Sequence, residues 1–120
     1  MKLAIAAAAA LLALPAVASA ETQKWKISGD VSGFQYTLNC TLEIAGGKIS
    51  GPCVSDQDPA PVQTAGTYTD AGGSEFAYDV KVQDMPLHVV YKGQQQADGT
   101  VKGTVDASGN SGTFTAVQQK

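Results

Sequence analysis

The chain has 120 residues, with eight lysines and no arginine against 11 acidic residues, a single histidine and a formal net charge of −3. A mildly acidic, arginine-free surface is a poor match for nucleic acid, phosphate or anionic lipid, which sets those partners aside. The apolar fraction of 43% is enough for one packed core, and the length suits one domain rather than two.

Residues 1–20 read as a cleaved export signal. Lys2 forms a minimal basic start, Ile5 to Leu14 is an unbroken apolar run, and Ala18-Ser19-Ala20 is a small-residue cleavage site before Glu21. The run is shorter than the roughly 20 residues needed to cross a bilayer, and Pro15 interrupts it. The alanine-rich style resembles Gram-negative export signals, so the expected location is the periplasm or the medium. The expected mature domain is 21–120, with seven lysines against 11 acidic residues.

Within that domain the pattern has period 2 and no helical periodicity. Eight strands are predicted: Gln23–Asp30, Phe34–Ala45, Lys48–Val54, Val62–Thr69, Glu75–Gln83, Leu87–Gly93, Thr100–Asp106 and Gly112–Gln118. Turn signals separate them at Ser32-Gly33, Gly46-Gly47, Gly72-Gly73, Asp84 to Pro86, Asp98-Gly99 and Ser108 to Ser111. The aromatic residues, Trp25, Phe34, Tyr36, Tyr68, Phe76, Tyr78, Tyr91 and Phe114, all fall on one alternating face. Short connections favour an antiparallel up-and-down meander, and closing it into a small barrel removes both sheet edges. A two-sheet β-sandwich is the alternative. Glycines in the inward rows (Gly29, Gly51, Gly66, Gly103, Gly112) suit a tight barrel. The aromatic face is taken as the inside, leaving Thr37, Thr41, Asp79, Lys81, Thr113 and Thr115 in water. An outer-membrane barrel would invert these faces, but the predicted strands are mostly shorter than the roughly 9–11 residues such a barrel uses.

The two cysteines are predicted to pair. With Gly46-Gly47 as a two-residue turn, Ala45 faces Lys48, Ile44 faces Ile49 and Cys40 faces Cys53, in a non-hydrogen-bonded position where Cα atoms lie about 4.5 Å apart. An even cysteine count in an exported chain supports the bond. Pro52, which has no N–H to give, is expected to disturb the ladder beside it.

Catalytic chemistry is sparse. His88 is expected to point outward without a partner, both cysteines are committed, and no serine sits in a nucleophile elbow, so neither an enzyme nor a metal or cofactor site is expected. Asp56 and Asp58 lie in Ser55-Asp56-Gln57-Asp58-Pro59, which lacks the glycine and glutamate of a calcium loop. Ser55 to Pro61 reads as the longest connection and a candidate rim loop. The inward tyrosines Tyr36, Tyr68, Tyr78 and Tyr91 are the candidate lining of an amphipathic pocket, since an eight-stranded barrel can hold one small ligand.

Trp25, the Cys40–Cys53 hairpin, the recurrent Gly-Thr/Val-Gly hairpins and the final Gly112-Thr113-Phe114-Thr115 strand resemble small exported bacterial β-barrels of unassigned function. More loosely, the chain is similar to calycin-like folds, including lipocalins and avidins. The cysteine spacing of the periplasmic protease inhibitors is not present. The expected role is a monomeric, non-enzymatic binding module for a small apolar or amphipathic ligand or an extracytoplasmic protein, without membrane insertion. The alternatives are an inhibitor of a secreted hydrolase, acting through the Ser55–Pro61 segment, and a structural envelope protein.

Overall fold

The computed structural model describes residues 20–119; apart from Ala20, the expected export signal lies outside the described residues. Eight strands follow one another: β1 (Glu21–Val31), β2 (Phe34–Ala45), β3 (Lys48–Ser55), β4 (Asp58–Tyr68), β5 (Gly73–Val82), β6 (Met85–Gln95), β7 (Val101–Ala107) and β8 (Asn110–Gln119). Each pairs antiparallel with its sequence neighbour, and β8 returns to β1 from Lys24↔Gln119 to Val31↔Gly112. That last pairing closes the barrel and rules out the sandwich.

Two-residue turns set the register. Four of them place both central residues at positive φ: Ser32-Gly33 (53° and 87°), Gly46-Gly47 (59° and 81°), Gln83-Asp84 (52° and 66°) and Ser108-Gly109 (49° and 97°). This is the hairpin geometry whose twist matches that of the strands. The turns after β1, β3, β5 and β7 share one end of the barrel, called the hairpin end here. The other connections and the ends of β1 and β8 occupy the terminal end.

The alternation has the expected sense. Ile27, Leu38, Leu42, Phe76, Tyr78, Val89, Tyr91, Val105, Phe114 and Ala116 are buried inside with both cysteines, while Thr41, Asp79, Lys81 and Thr113 are exposed outside and Thr37 and Thr115 are half-buried. Phe34 departs from expectation. It continues the inward row but is 58% exposed, because at the Ser32-Gly33 turn it stands beyond the last packed layer, stacked on Tyr36 with ring centroids 6.2 Å apart.

Cys40 and Cys53 are bonded across the β2–β3 hairpin in the expected register, with Cα atoms 4.0 Å apart. The ladder then skips Thr41/Pro52 and Leu42/Gly51 before resuming at Glu43↔Ser50. Pro52 withholds its donor, and Gly51 takes φ 141° so that the strand can bend; a β-carbon there would strike the Thr41 carbonyl. The Gly51 carbonyl instead accepts the hydroxyl of buried Thr64 at 2.7 Å.

The turn read over Ser108 to Ser111 shortens to Ser108-Gly109, with Asn110 and Ser111 in β8, and two other connections differ more. Ser55–Pro61 is not a loop: Ser55 pairs with Asp58 around a two-residue turn, and Pro59 and Pro61 lie in β4. A register shift between Cys53↔Val62 and Ser55↔Asp58 sets three β4 residues against Val54, a bulge that absorbs the proline segment. Likewise, the turn assigned to Asp84–Pro86 falls at Gln83-Asp84, so Met85 and Pro86 begin β6.

Candidate functional site

Inward side chains fill the hairpin half of the barrel and leave the terminal half partly hollow. A cavity of about 240 Å³ opens at the terminal end. Its walls are apolar, from Ile27, Leu42, Ile44, Ile49, Phe76, Val101, Phe114 and Ala116, with Trp25 and Tyr68 also lining it. Gln23, Ser74 and Gln95 supply the polar groups. The Trp25 indole N–H donates to the Gln23 side chain at 2.9 Å, which satisfies the donor and fixes the ring.

The inner limit of the cavity is Tyr91, 1% exposed and packed edge-on against Phe114 with ring centroids 5.0 Å apart. Its hydroxyl lies 2.7 Å from that of Tyr36 and 2.9 Å from that of Tyr78. A hydroxyl can donate one bond and accept others, so the central, buried Tyr91 is satisfied by its two neighbours. Burial is the main cause that raises the pKa of all three phenols; for Tyr36 and Tyr78 the bond to Tyr91 partly offsets it.

Of the four tyrosines singled out in the sequence, Tyr68 and Tyr91 line the cavity. Tyr36 and Tyr78 stand on its far side and act through Tyr91, holding its ring as the floor. Gly29 makes this possible. It pairs with Tyr36 across β1–β2, and the phenol lies over the space a side chain would fill. Gly29→Ala is therefore expected to expel Tyr36 from the trio and destabilise the barrel by about 1–3 kcal/mol. Urea unfolding of the variant checks this, with Tyr36→Phe as the comparison that loses only the hydroxyl.

Asp56 and Asp58 lie at the hairpin end, away from the cavity mouth. The Asp56 carboxylate accepts the Thr37 backbone N–H at 3.1 Å and the Asp58 carboxylate accepts that of Ala60 at 2.9 Å, so both are occupied in shaping the β3–β4 hairpin. A larger depression of about 560 Å³ lies outside the barrel across β8, β1 and β2, lined by residues such as Ser28, Asp30, Gln35 and Thr115. Its carboxylates, Asp30 and Asp56, are engaged in turn bonds, and it is polar and open. The smaller interior cavity is the better site, because depth and apolar walls exclude water from a ligand.

His88 is exposed as expected, but it is not alone. Its Nδ1 lies 2.9 Å from Asp79 Oδ1, directly across the β5–β6 ladder. A turn over Asp84–Pro86 would instead set Val82 against His88, whereas the turn at Gln83-Asp84 brings Asp79 there. The neighbouring Ser108 hydroxyl accepts the backbone N–H of His88 at 2.9 Å, and the Ser108 N–H returns a bond to the His88 carbonyl at 3.0 Å. Ser108 thus ends the β6–β7 ladder. Comparison with protein-family models, with curated proteins and with solved structures finds no match for this chain.

Proposed function

We propose that the protein is an exported, non-enzymatic binding module that takes one small apolar or amphipathic molecule into the terminal end of its barrel. The observation that carries this reading is the apolar cavity of about 240 Å³ with a single rim of Gln23, Trp25, Tyr68 and Gln95. An apolar cavity of about 150 Å³ is enough for benzene, so this one suits a molecule of one or two rings or a short alkyl chain. The polar rim would meet a hydroxyl, carbonyl or amine left at the mouth. The Cys40–Cys53 bond is consistent with an extracytoplasmic setting, and the periplasm or the medium remains the proposed location. A polar exterior around an aromatic interior supports a domain that stays in water. An inhibitor of a secreted hydrolase is the second reading, with the Ser55–Pro61 segment a tight hairpin and a strand rather than a loop.

Trp25 is the one tryptophan and stands at the mouth, so its fluorescence reports occupancy. Titration with indole, cresol and medium-chain alcohols is expected to give a saturable change. Ala116→Leu, which adds bulk to a buried cavity wall, should abolish it without altering the far-UV spectrum or the disulfide. No saturable response to any of these probes, together with no adduct in native mass spectra of host-derived protein, would refute the small-ligand reading.

A further inference from the structure

We propose that the open backbone edge of β5 is a self-pairing surface, and that its partner is the same edge of a second copy of this chain. The barrel is closed in topology but not along its full height. β4 and β5 pair only from Ala65↔Ala77 to Tyr68↔Ser74, whereas β5 continues to Val82 and β4 begins at Asp58. Had the register run on, Pro61 would stand opposite Lys81 and would lack the N–H that this pair requires. The seam therefore parts toward the hairpin end.

Alternation of hydrogen bonds shows which groups are left free. Val82 and Met85 flank a two-residue turn, so Val82, Val80 and Tyr78 direct their backbone groups to β6. Asp79 and Lys81 direct theirs the other way, into the seam, where no β4 partner meets them. The same alternation along β3–β4, from Cys53↔Val62, turns Pro59 and Pro61 toward the seam and blunts the β4 side. On the far side of this hairpin, Pro86 faces outward and Ser108 closes the ladder at His88. On the β4 side Gln63 is the one seam-facing residue beyond Ala65 that keeps an N–H, so β5 presents the longer donor-bearing edge.

That edge is complementary to itself. A two-fold axis through Val80 sets Asp79 against the partner's Lys81 and Lys81 against the partner's Asp79, as the hydrogen-bonded pairs of an antiparallel ladder. The free N–H and C=O groups of both residues are then satisfied, and opposite charges meet directly across the strands. Asp79 holds His88 through one carboxylate oxygen only, leaving the other for the lysine. On the inner face Val80 meets the partner's Val80, and Val82, 50% exposed, comes opposite the partner's Tyr78. Such pairing would make the protein a dimer in place of the monomer expected from the sequence.

Sedimentation velocity of the mature disulfide-bonded chain over a concentration series tests this, with amide exchange read at Asp79 and Lys81. A monomer–dimer equilibrium is expected, with both amides gaining protection as the dimer fills. Asp79→Lys, which sets lysine against lysine, should weaken association by about tenfold or more, and the reversed pair Asp79→Lys with Lys81→Asp should restore it. A chain that stays monomeric up to about millimolar concentration overturns the proposal. So does a dimer whose Asp79 and Lys81 amides exchange freely, or one indifferent to Asp79→Lys.

Discussion

Replacing Cys40 and Cys53 together by alanine is expected to lower the unfolding free energy by about 2–5 kcal/mol, a large share of the roughly 5–15 kcal/mol typical of a domain. The bond spans a sequence separation of 13, for which chain entropy alone gives about 3 kcal/mol. Local structure adds to this. The bond lies where the β2–β3 ladder is interrupted by Pro52 and Gly51, so it replaces hydrogen bonds that the backbone cannot make there. Both cysteines are also core residues, 2% and 0% exposed, and the alanines would leave a void among Leu38, Leu42 and Val62. Urea titration of wild type, variant and reduced wild type measures the effect. The variant and the reduced protein should lose similar stability, and an unchanged urea midpoint in both would show that the ladder, rather than the bond, holds this hairpin.

Raising the pH is expected to unfold the barrel through its tyrosine trio. Burial raises the phenol pKa values of Tyr78 and Tyr91 above the ordinary value of 10.0, and that of Tyr36 in the same direction. A buried phenol that keeps its proton while the unfolded chain has lost it makes the folded state the more protonated one. The stabilisation is thus fully present below about pH 10 and is lost as the pH climbs from there toward the folded-state values, at about 1.4 kcal/mol per pH unit for each fully buried phenol. With Tyr78 and Tyr91 at 7% and 1% exposure, two groups contribute close to that slope. Tyrosinate absorbance near 295 nm should therefore appear together with the loss of far-UV signal. Tyr91→Phe should reduce the alkaline slope by about one group, while costing about 1–3 kcal/mol at neutral pH, because it strands the hydroxyls of Tyr36 and Tyr78. Ionisation of these three phenols in a chain that keeps its strand signal would contradict the burial described above.

Where the sequence carried clear turn chemistry, the register was legible. Gly46-Gly47 placed Cys40 against Cys53, and Ser32-Gly33 marked the start of β2. Period-2 alternation assigned the inside of each strand, and the eight-stranded barrel followed. Most of the misses involve residues that usually break strands, used here at strand edges. Pro59, Pro61 and Pro86 face away from a neighbouring strand, where the missing N–H is harmless. Gln83-Asp84 adopts a turn that usually contains glycine. Each is decided by which edge is covered, and covering is a tertiary property that pattern does not encode. The site was half legible for a similar reason. Alternation placed all four tyrosines inside, but only packing over Gly29 decides that Tyr36 reaches the Tyr91 hydroxyl and that the hollow lies at the opposite end. The His88–Asp79 pair was within reach of register counting and was lost to one misplaced turn.

The order of strands around the barrel also bears on how it assembles. Seven of the eight ladders join neighbours in sequence, so each can form from a short closed loop, on the timescale of a hairpin. The pairing of β1 with β8 is different, for it requires the two ends of the domain to meet, and its loop-closure entropy is the largest in the molecule. The disulfide lies within one of the local steps and does nothing to bring those ends together. Closure therefore depends on the curvature already built into the other strands, which delivers β8 to β1 only once the sheet has coiled. A chain with seven ladders formed and the eighth open would expose two full-length edges, β1 and β8. That intermediate, and not the finished barrel, is the form most exposed to aggregation.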